Sequence, residues 1–252
     1  MMLRQAGAAA PGDIVYAIGD VHGRLDLLKA ARTQLLRHDQ GRQNPVVFLG
    51  DYVDRGPDSC GVIELLMGWK RASVFCLKGN HEAMMVQAYR RRDAESLETW
   101  LSFGGDATLR SYGAESFNQF SLDLIPERHV VWLEGLPSLL EDDHRVFVHG
   151  GLLPGVRIAR QREDVLLWVR QRFLLAQGDE FPDGKHVVHG HTPVWAGKLS
   201  PSEPELLEHR TNLDTAAYAT GVLTIAVFHA AKPGGPIDCI SVRGEAALHM
   251  FE

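Results

Sequence analysis

The chain has 252 residues, 45% hydrophobic and 23% charged, with a formal net charge of -6, a balance that fits a globular protein and excludes disordered or fibrous classes. Its acidic balance disfavours nucleic-acid binding through a broad basic surface, and no apolar run approaches the roughly 20 residues that cross a bilayer, so neither nucleic acid nor membrane is an expected partner. Cys60, Cys76 and Cys239 are odd in number and lack C-x-x-C spacing, which argues for reduced thiols in a cytoplasmic setting and against a disulfide framework or thiolate zinc site.

Residues 1–12 read as a loose tail without the apolar centre of a signal peptide. Residues 13–252 read as one folded unit, since many α/β proteins of this length fold around one core. Short β-rich runs then recur, each breaking off into glycine plus polar residues: IVYAIGD (14–20), VVFLGD (46–51), VFCLKGNH (74–81), VFVHGG (146–151) and VVHGH (187–191). Each reads as a buried strand feeding a tight loop. Between the first three, RLDLLKAARTQLLRH places Leu25, Leu28, Leu35 and Leu36 on one helical face, and GVIELLMGW after Asp58 behaves likewise. The expected order is β-α-β-α-β with parallel strands and right-handed crossovers.

Residues 82–140 read as a helical elaboration, in which HEAMMVQAYRRRDAESLETWLSF is helical and GGDATLRSYG breaks it. The proline- and acid-bearing segment 194–210 suggests an exposed, irregular rim. After Asp214, VLTIAVF (222–228) and CISV (239–242), separated by KPGGP, read as an antiparallel pair closing a sheet.

The strand ends share a chemistry. Asp20 and His22 follow the first run, Asp51 the second, Asn80 and His81 the third, His149 the fourth, and His189 with His191 the fifth. Loops converge at the carboxyl ends of strands in α/β sheets, so these dispersed residues can meet. Gly19, Gly23, Gly50, Gly56, Gly79, Gly150 and Gly190 are expected to supply positive φ and close backbone approach. Carboxylate, imidazole and amide donors without thiolate suit Mn²⁺, Fe²⁺ or Zn²⁺. Their number allows two ions about 3.5–4 Å apart, with a carboxylate such as Asp51 shared between them. Taken singly, each motif has a plainer reading: a turn, a satisfied structural histidine at His186 or His229, or a surface ion pair between Asp54 and Arg55. Repetition at five strand ends outweighs those readings.

GDVHG (19–23), GDYVDRG (50–56), GNHE (79–82), HGG (149–151) and GHTP (190–193) resemble, in order and spacing, the phosphoprotein phosphatase branch of the calcineurin-like metallophosphoesterases. The match covers roughly residues 13–228, and FGGDATLRSYG and LLWVRQRFL are similar to bacterial and bacteriophage members of the lambda-phosphatase type. The resemblance implies an α/β fold, a four-layered α-β-β-α sandwich of two mixed sheets flanked by helices, making residues 13–252 a metallophosphoesterase domain. It implies that Asp20, His22 and Asp51 hold one metal, and that Asp51, Asn80, His149 and His191 hold the other. His81 matches the general acid, Asp54 its partner, and Arg55, Asn80 and Arg170 the groups that hold the phosphate. His189 and His191 would point the same way on a strand, and the match to GHTP favours His191 as the ligand.

The implied activity is hydrolysis of phosphoserine or phosphothreonine, with phosphotyrosine open, by direct attack of a hydroxide bridging two divalent ions. Mn²⁺ is the first expectation, with Fe²⁺, Zn²⁺ and Mg²⁺ as alternatives, and the expected partners are phosphorylated proteins or peptides and small phosphoesters. One competitor is a symmetrical diadenosine tetraphosphatase; such enzymes typically have glutamine where His22 stands and alanine where Asp54 stands. Another is an inactive metal-binding scaffold, which usually lacks a ligand, the acid or an arginine. One departure stands out: the family commonly has D-T-G-A where this chain has Asp214-Thr215-Ala216-Ala217. If that position takes positive φ, Ala216 carries strain of order 1 kcal/mol.

Overall fold

A computed structural model describes residues 13–70, 73–181, 183–193 and 202–246; the expected tail (1–12) and the first part of the expected rim (194–201) lie outside the described residues. Strands β1 (Ile14–Ile18), β2 (Val46–Phe48) and β3 (Val74–Cys76) run parallel, joined through helices α1 (Leu25–Asp39) and α2 (Ser59–Met67). This is the expected β-α-β-α-β unit. The predicted hairpin, β9 (Val222–His229) and β10 (Asp238–Arg243), is antiparallel and docks β9 on the free edge of β1, giving the order β10-β9-β1-β2-β3.

The second sheet contains the fourth and fifth predicted runs as β5 (Arg145–Val148) and β6 (His186–His189), which pair in parallel. Shorter pieces complete it: β4 (Leu139–Glu141), β7 (Glu205–Leu206) and β8 (Arg210–Asn212), in the order β4-β5-β6-β8-β7. Both sheets are mixed, as the resemblance implies.

Alternation along the strands builds the layers, because successive side chains leave opposite faces. On β1 and β2, Tyr16, Ile18, Val46 and Phe48 face α1 and α2, while Val15, Ala17 and Val47 face the other sheet. Phe147 and Val188 answer them from β5 and β6, whereas Val146, Val148 and Val187 face outward toward α7 (Glu163–Trp168) and α8 (Gln171–Leu174). Each fully buried aliphatic or aromatic side chain contributes roughly 1.5–3 kcal/mol. The buried arc of α1 is Leu27, Leu28, Ala31 and Leu35. Leu36, expected on that face, is 51% exposed, because it lies beyond the edge of the stripe.

The elaboration consists of α3 (Asn80–Arg91), α4 (Ala94–Trp100), a π-helical turn (Leu101–Gly105), α5 (Asp106–Ser111), a 3-10 turn (Gln119–Leu124) and α6 (Glu127–Glu134). The expected continuous helix 81–103 stops at Arg92, which takes a left-handed φ of 53°, and restarts where Asp93 Oδ1 accepts Ser96 N–H at 2.7 Å. The expected break at GGDATLRSYG is narrower than the motif: Gly104 alone leaves helical geometry, at φ 99°, and helix resumes at Asp106. Among the described residues no helix is long and apolar enough to cross a membrane.

Candidate active site

The loops after β1, β2 and β3 lie over one end of the first sheet, and the ends of β5 and β6 meet them from the second. They gather Asp20, His22, Asp51, Asp54, Asn80, His81, His149 and His191, all at most 4% exposed. Main-chain bonds join the first two loops: Val21 and His22 N–H both donate to Asp51 O, at 3.0 and 2.9 Å, and Gly23 N–H donates to Tyr52 O at 2.8 Å.

The expectation that glycines would take the positive φ values needs correcting. Gly23 and Gly50 do so, at φ 63° and 102°, but the other left-handed conformations at the site belong mainly to His22, Asp51, Asp54, Arg55 and His191, with φ between 43° and 73°. Each costs about 1–2 kcal/mol in a non-glycine residue and persists only where the surroundings enforce it. Gly190 serves instead by lacking a side chain, since a Cβ there would lie 2.0 Å from Asp20 Oδ1.

Two clusters share Asp51. His22, Asp51 and His81 form one and Asp51, His149 and His191 the other, each with its ligand atoms within 4.8 Å of one another. Asp51 Oδ2 lies 3.5 Å from His22 Nε2 and Oδ1 lies 3.3 Å from His149 Nε2, so its two oxygens address different imidazoles. Asp20, expected with His22 and Asp51, lies beside these clusters, its Oδ2 accepting His191 N–H at 3.0 Å, while His81 takes the third place in the first cluster.

The acceptors are arranged for cations. His22 Nδ1 donates to Val53 O at 2.8 Å, which leaves Nε2 a lone pair. His149 Nδ1 donates to Leu49 O at 2.9 Å, which turns Nε2 toward Asn80 Oδ1, 2.9 Å away, and toward Asp51. Asp20 Oδ1 and His191 Nε2 are buried without a hydrogen-bond partner among the described residues. Converging buried acceptors are costly unless a proton or metal joins them, and this oxygen and nitrogen set fits two divalent first-row ions.

The titration pattern agrees. Burial works against a charged His149, yet Asp51 lifts it to about 9, so the centre draws positive charge. Burial likewise opposes an ionised Asp51, but His149, His81 and His22 outweigh it and hold the carboxyl well below its usual range. Burial, reinforced by His149, pushes His191 down to about 2, keeping its ring neutral and free to ligate. Burial and Asp214 raise Asp20 well above an ordinary carboxyl.

Beside the clusters, His81 Nδ1 donates to Asp54 Oδ2 at 2.7 Å. Arg55 spans two imidazoles, donating to His22 Nε2 at 2.8 Å and His81 Nε2 at 2.9 Å, and its guanidinium lies 5.0 Å from the Tyr218 ring centre. Arg170, at the N-terminus of α8, is exposed, and its charge reaches His191. His189 is held elsewhere: its ring packs on Phe173 at 4.8 Å and accepts from Arg210 at 3.3 Å. Ala216 takes φ 49°, meeting the condition for local strain, and its N–H donates to Asp214 Oδ1 at 3.0 Å.

Three contributors escape a reading of the motifs as ligands. Glu82 is fully buried, and its carboxylate accepts N–H groups of Asp51 (2.8 Å), Tyr52 (2.7 Å), Val53 (3.3 Å) and Gly79 (2.8 Å), clasping the second loop to the start of α3. Trp100 and Thr108 both bond the Asp54 carboxylate. Glu82 had a signal, its place in GNHE; the other two had none beyond helical pattern.

The sequence profile of the calcineurin-like phosphoesterases matches residues 14–221. Serine/threonine-protein phosphatase 1 of Salmonella typhimurium is 30% identical over 187 residues, covering 71% of this chain and 79% of that protein. The asymmetrical bis(5'-nucleosyl)-tetraphosphatase PrpE of Bacillus mycoides is 28% identical over 236 residues, covering 82% of this chain and 87% of that protein. A protein serine/threonine phosphatase structure from Saccharomyces cerevisiae, similar to human PP5, superposes with a TM-score of 0.59 at 17% identity, over 94% of this chain and 81% of its own. That last likeness concerns the fold alone. Between them the relatives carry two activities.

Proposed function

The chain belongs to the calcineurin-like phosphoesterases, and from that premise we propose that it is a phosphoprotein phosphatase acting on phosphoserine and phosphothreonine. The observation that carries this reading is the buried His81–Asp54 pair at 2.7 Å. Serine and threonine leave as strongly basic alkoxides and need a proton as the P–O bond breaks. A nucleotide leaving from a dinucleoside polyphosphate carries its charge on phosphate and needs no such donor.

In this reading Asp20, His22 and Asp51 hold one ion, and Asp51, Asn80, His149 and His191 the second, with Mn²⁺ the favoured metal. When bound there, the ions would supply Lewis acidity and acidify a water near neutral pH. Arg55, on leaving the two imidazole Nε2 atoms it bonds here, and Arg170 grip phosphoryl oxygens with the forked geometry that a lysine lacks, Asn80 adds an amide contact, and His81 Nε2, freed from Arg55 to carry a proton, delivers it. Asp54 stabilises the imidazolium from which that proton comes.

The Bacillus relative supports a second reading, dinucleoside polyphosphate hydrolysis, of the asymmetrical type rather than the symmetrical type weighed above, against which His22 and Asp54 count. A panel of phosphoserine, phosphothreonine and phosphotyrosine peptides, assayed beside diadenosine tetraphosphate with Mn²⁺, Mg²⁺ and Zn²⁺, separates the two. Faster turnover of the dinucleotide under every metal would reject our reading. His81→Asn is expected to cut peptide turnover by roughly 10²-fold or more while metal content stays intact.

A further inference from the structure

We propose that Trp100 and Thr108 are positioning residues for the acid pair, fixing Asp54 so that it can orient His81. This rests on the functional reading above, in which His81 protonates the leaving group.

Asp54 bonds the site's imidazoles only through His81 Nδ1, so what it contributes depends on which way its carboxylate faces. Two donors set that direction. Trp100 Nε1–H lies 3.0 Å from both carboxylate oxygens, and Thr108 Oγ1 donates to Oδ1 at 2.6 Å, leaving Oδ2 for His81. Thr108 Oγ1 also accepts the N–H of Asp54 at 2.8 Å, so one hydroxyl holds both the backbone and the side chain. Asp54, Trp100 and Thr108 are each 0% exposed, and no solvent substitutes for a lost partner.

The chain path to this arrangement is unusual. In an unbroken α-helix, eight residues make about 2.2 turns and would leave positions 100 and 108 roughly 80° apart. The wide turn Leu101–Gly105 intervenes, and such turns re-aim the face that follows. It also seals the site: Gly104 O accepts Arg55 N–H at 3.1 Å, a Cβ on Gly104 would lie 3.0 Å from Arg55 Cγ, and Phe103 packs 6.1 Å from His81. One segment of the helical elaboration therefore touches Asp54, Arg55 and His81 together.

Positioning makes a different prediction from mere burial. If the two donors only satisfy a buried carboxylate, their loss lowers activity on every substrate alike. If they aim the acid, the loss grows with the basicity of the leaving group. The experiment compares Thr108→Val, Trp100→Phe and Thr108→Ser with the wild-type protein, loaded with Mn²⁺, on a phosphoserine peptide and on p-nitrophenyl phosphate, whose phenolate departs without a proton.

We expect kcat on the peptide to fall by about tenfold or more in Thr108→Val and Trp100→Phe, against less than about threefold on p-nitrophenyl phosphate. KM and bound metal should stay unchanged, and Thr108→Ser should restore the peptide rate. Equal losses on both substrates, or none on either, would overturn the positioning role. Should Thr108→Val not fold, the Trp100→Phe and Thr108→Ser pair makes the same comparison. A wild-type protein inactive on both substrates would instead overturn the functional reading, and the positioning role with it.

Discussion

The two sheets build their halves of the candidate site differently. The loops after β1, β2 and β3 form a frame, in which four candidate residues (His22, Asp51, Asp54 and Arg55) hold left-handed backbone and Glu82 accepts four main-chain donors. The second sheet delivers His149 and His191, keyed to that frame by few contacts: His149 Nδ1 donates to Leu49 O and its Nε2 lies 2.9 Å from Asn80 Oδ1, and His191 N–H donates to Asp20 Oδ2. A half that carries strain must be over-determined by its own hydrogen bonds. The other half carries less strain, at His191 alone of its two candidate ligands (φ 68°), and can be simpler.

The largest effect should come where the halves meet. Asp51→Asn removes the carboxylate that belongs to both clusters, and metal content and activity are expected to vanish together, activity by on the order of 10³-fold or more. Elemental analysis showing two retained metals would break the shared role. Next, Glu82→Ala strips the frame of its clasp and orphans buried N–H groups, costing about 3 kcal/mol in urea unfolding and roughly 10–100-fold in metal affinity. His191→Ala should reduce metal binding while changing stability by less than about 1 kcal/mol. If the two variants destabilised equally, the contrast between frame and keyed half would fail.

One buried group from each half, Glu82 and His186, should also answer pH in opposite senses once chelator has removed metal. Burial and the neighbouring Asp51 raise Glu82 to about 7, so its contribution to stability is complete below the unfolded value near 4.5 and fades as pH rises through 7. Burial depresses His186, on β6, to about 4. Its contribution is complete above the unfolded value near 6.5 and is lost as pH falls through 4. Urea titrations of Glu82→Gln and His186→Gln should each flatten one limb of the profile and leave the other. The smallest effect belongs to Ala216, whose left-handed backbone lies in the loop before β9: Ala216→Gly is expected to stabilise by about 1 kcal/mol, read from the urea midpoint.

What the sequence revealed divides along the same line. The parallel triplet was legible because β1, β2, α1 and α2 bury continuous faces and hydrophobic periodicity reports burial, although β3, expected to be buried like them, is only half-buried. In the second sheet β5 and β6 were legible as apolar runs, but β4, β7 and β8 were not, because they are only three, two and three residues long without the longer apolar run that marks the equally short β2 and β3, and their partners are set by distant pairing. The candidate ligands stood out because five strand ends repeat one chemistry. Trp100 and Thr108 did not, since each meets Asp54 across 46 and 54 residues of chain and lies in an ordinary helical stretch. Leu36 was misplaced for a plainer reason, being one position past the edge of a buried arc.

The apolar layer between the sheets has a metrical consequence. His149 leaves one sheet and is tied to the Leu49 carbonyl of the other, so the span between the two clusters is gauged by the side chains packed beneath them, where Phe147 and Phe228 meet edge to face at 6.2 Å. Those rings act as a spacer block: a thinner or thicker residue there would retune the separation of the halves without touching a single polar group.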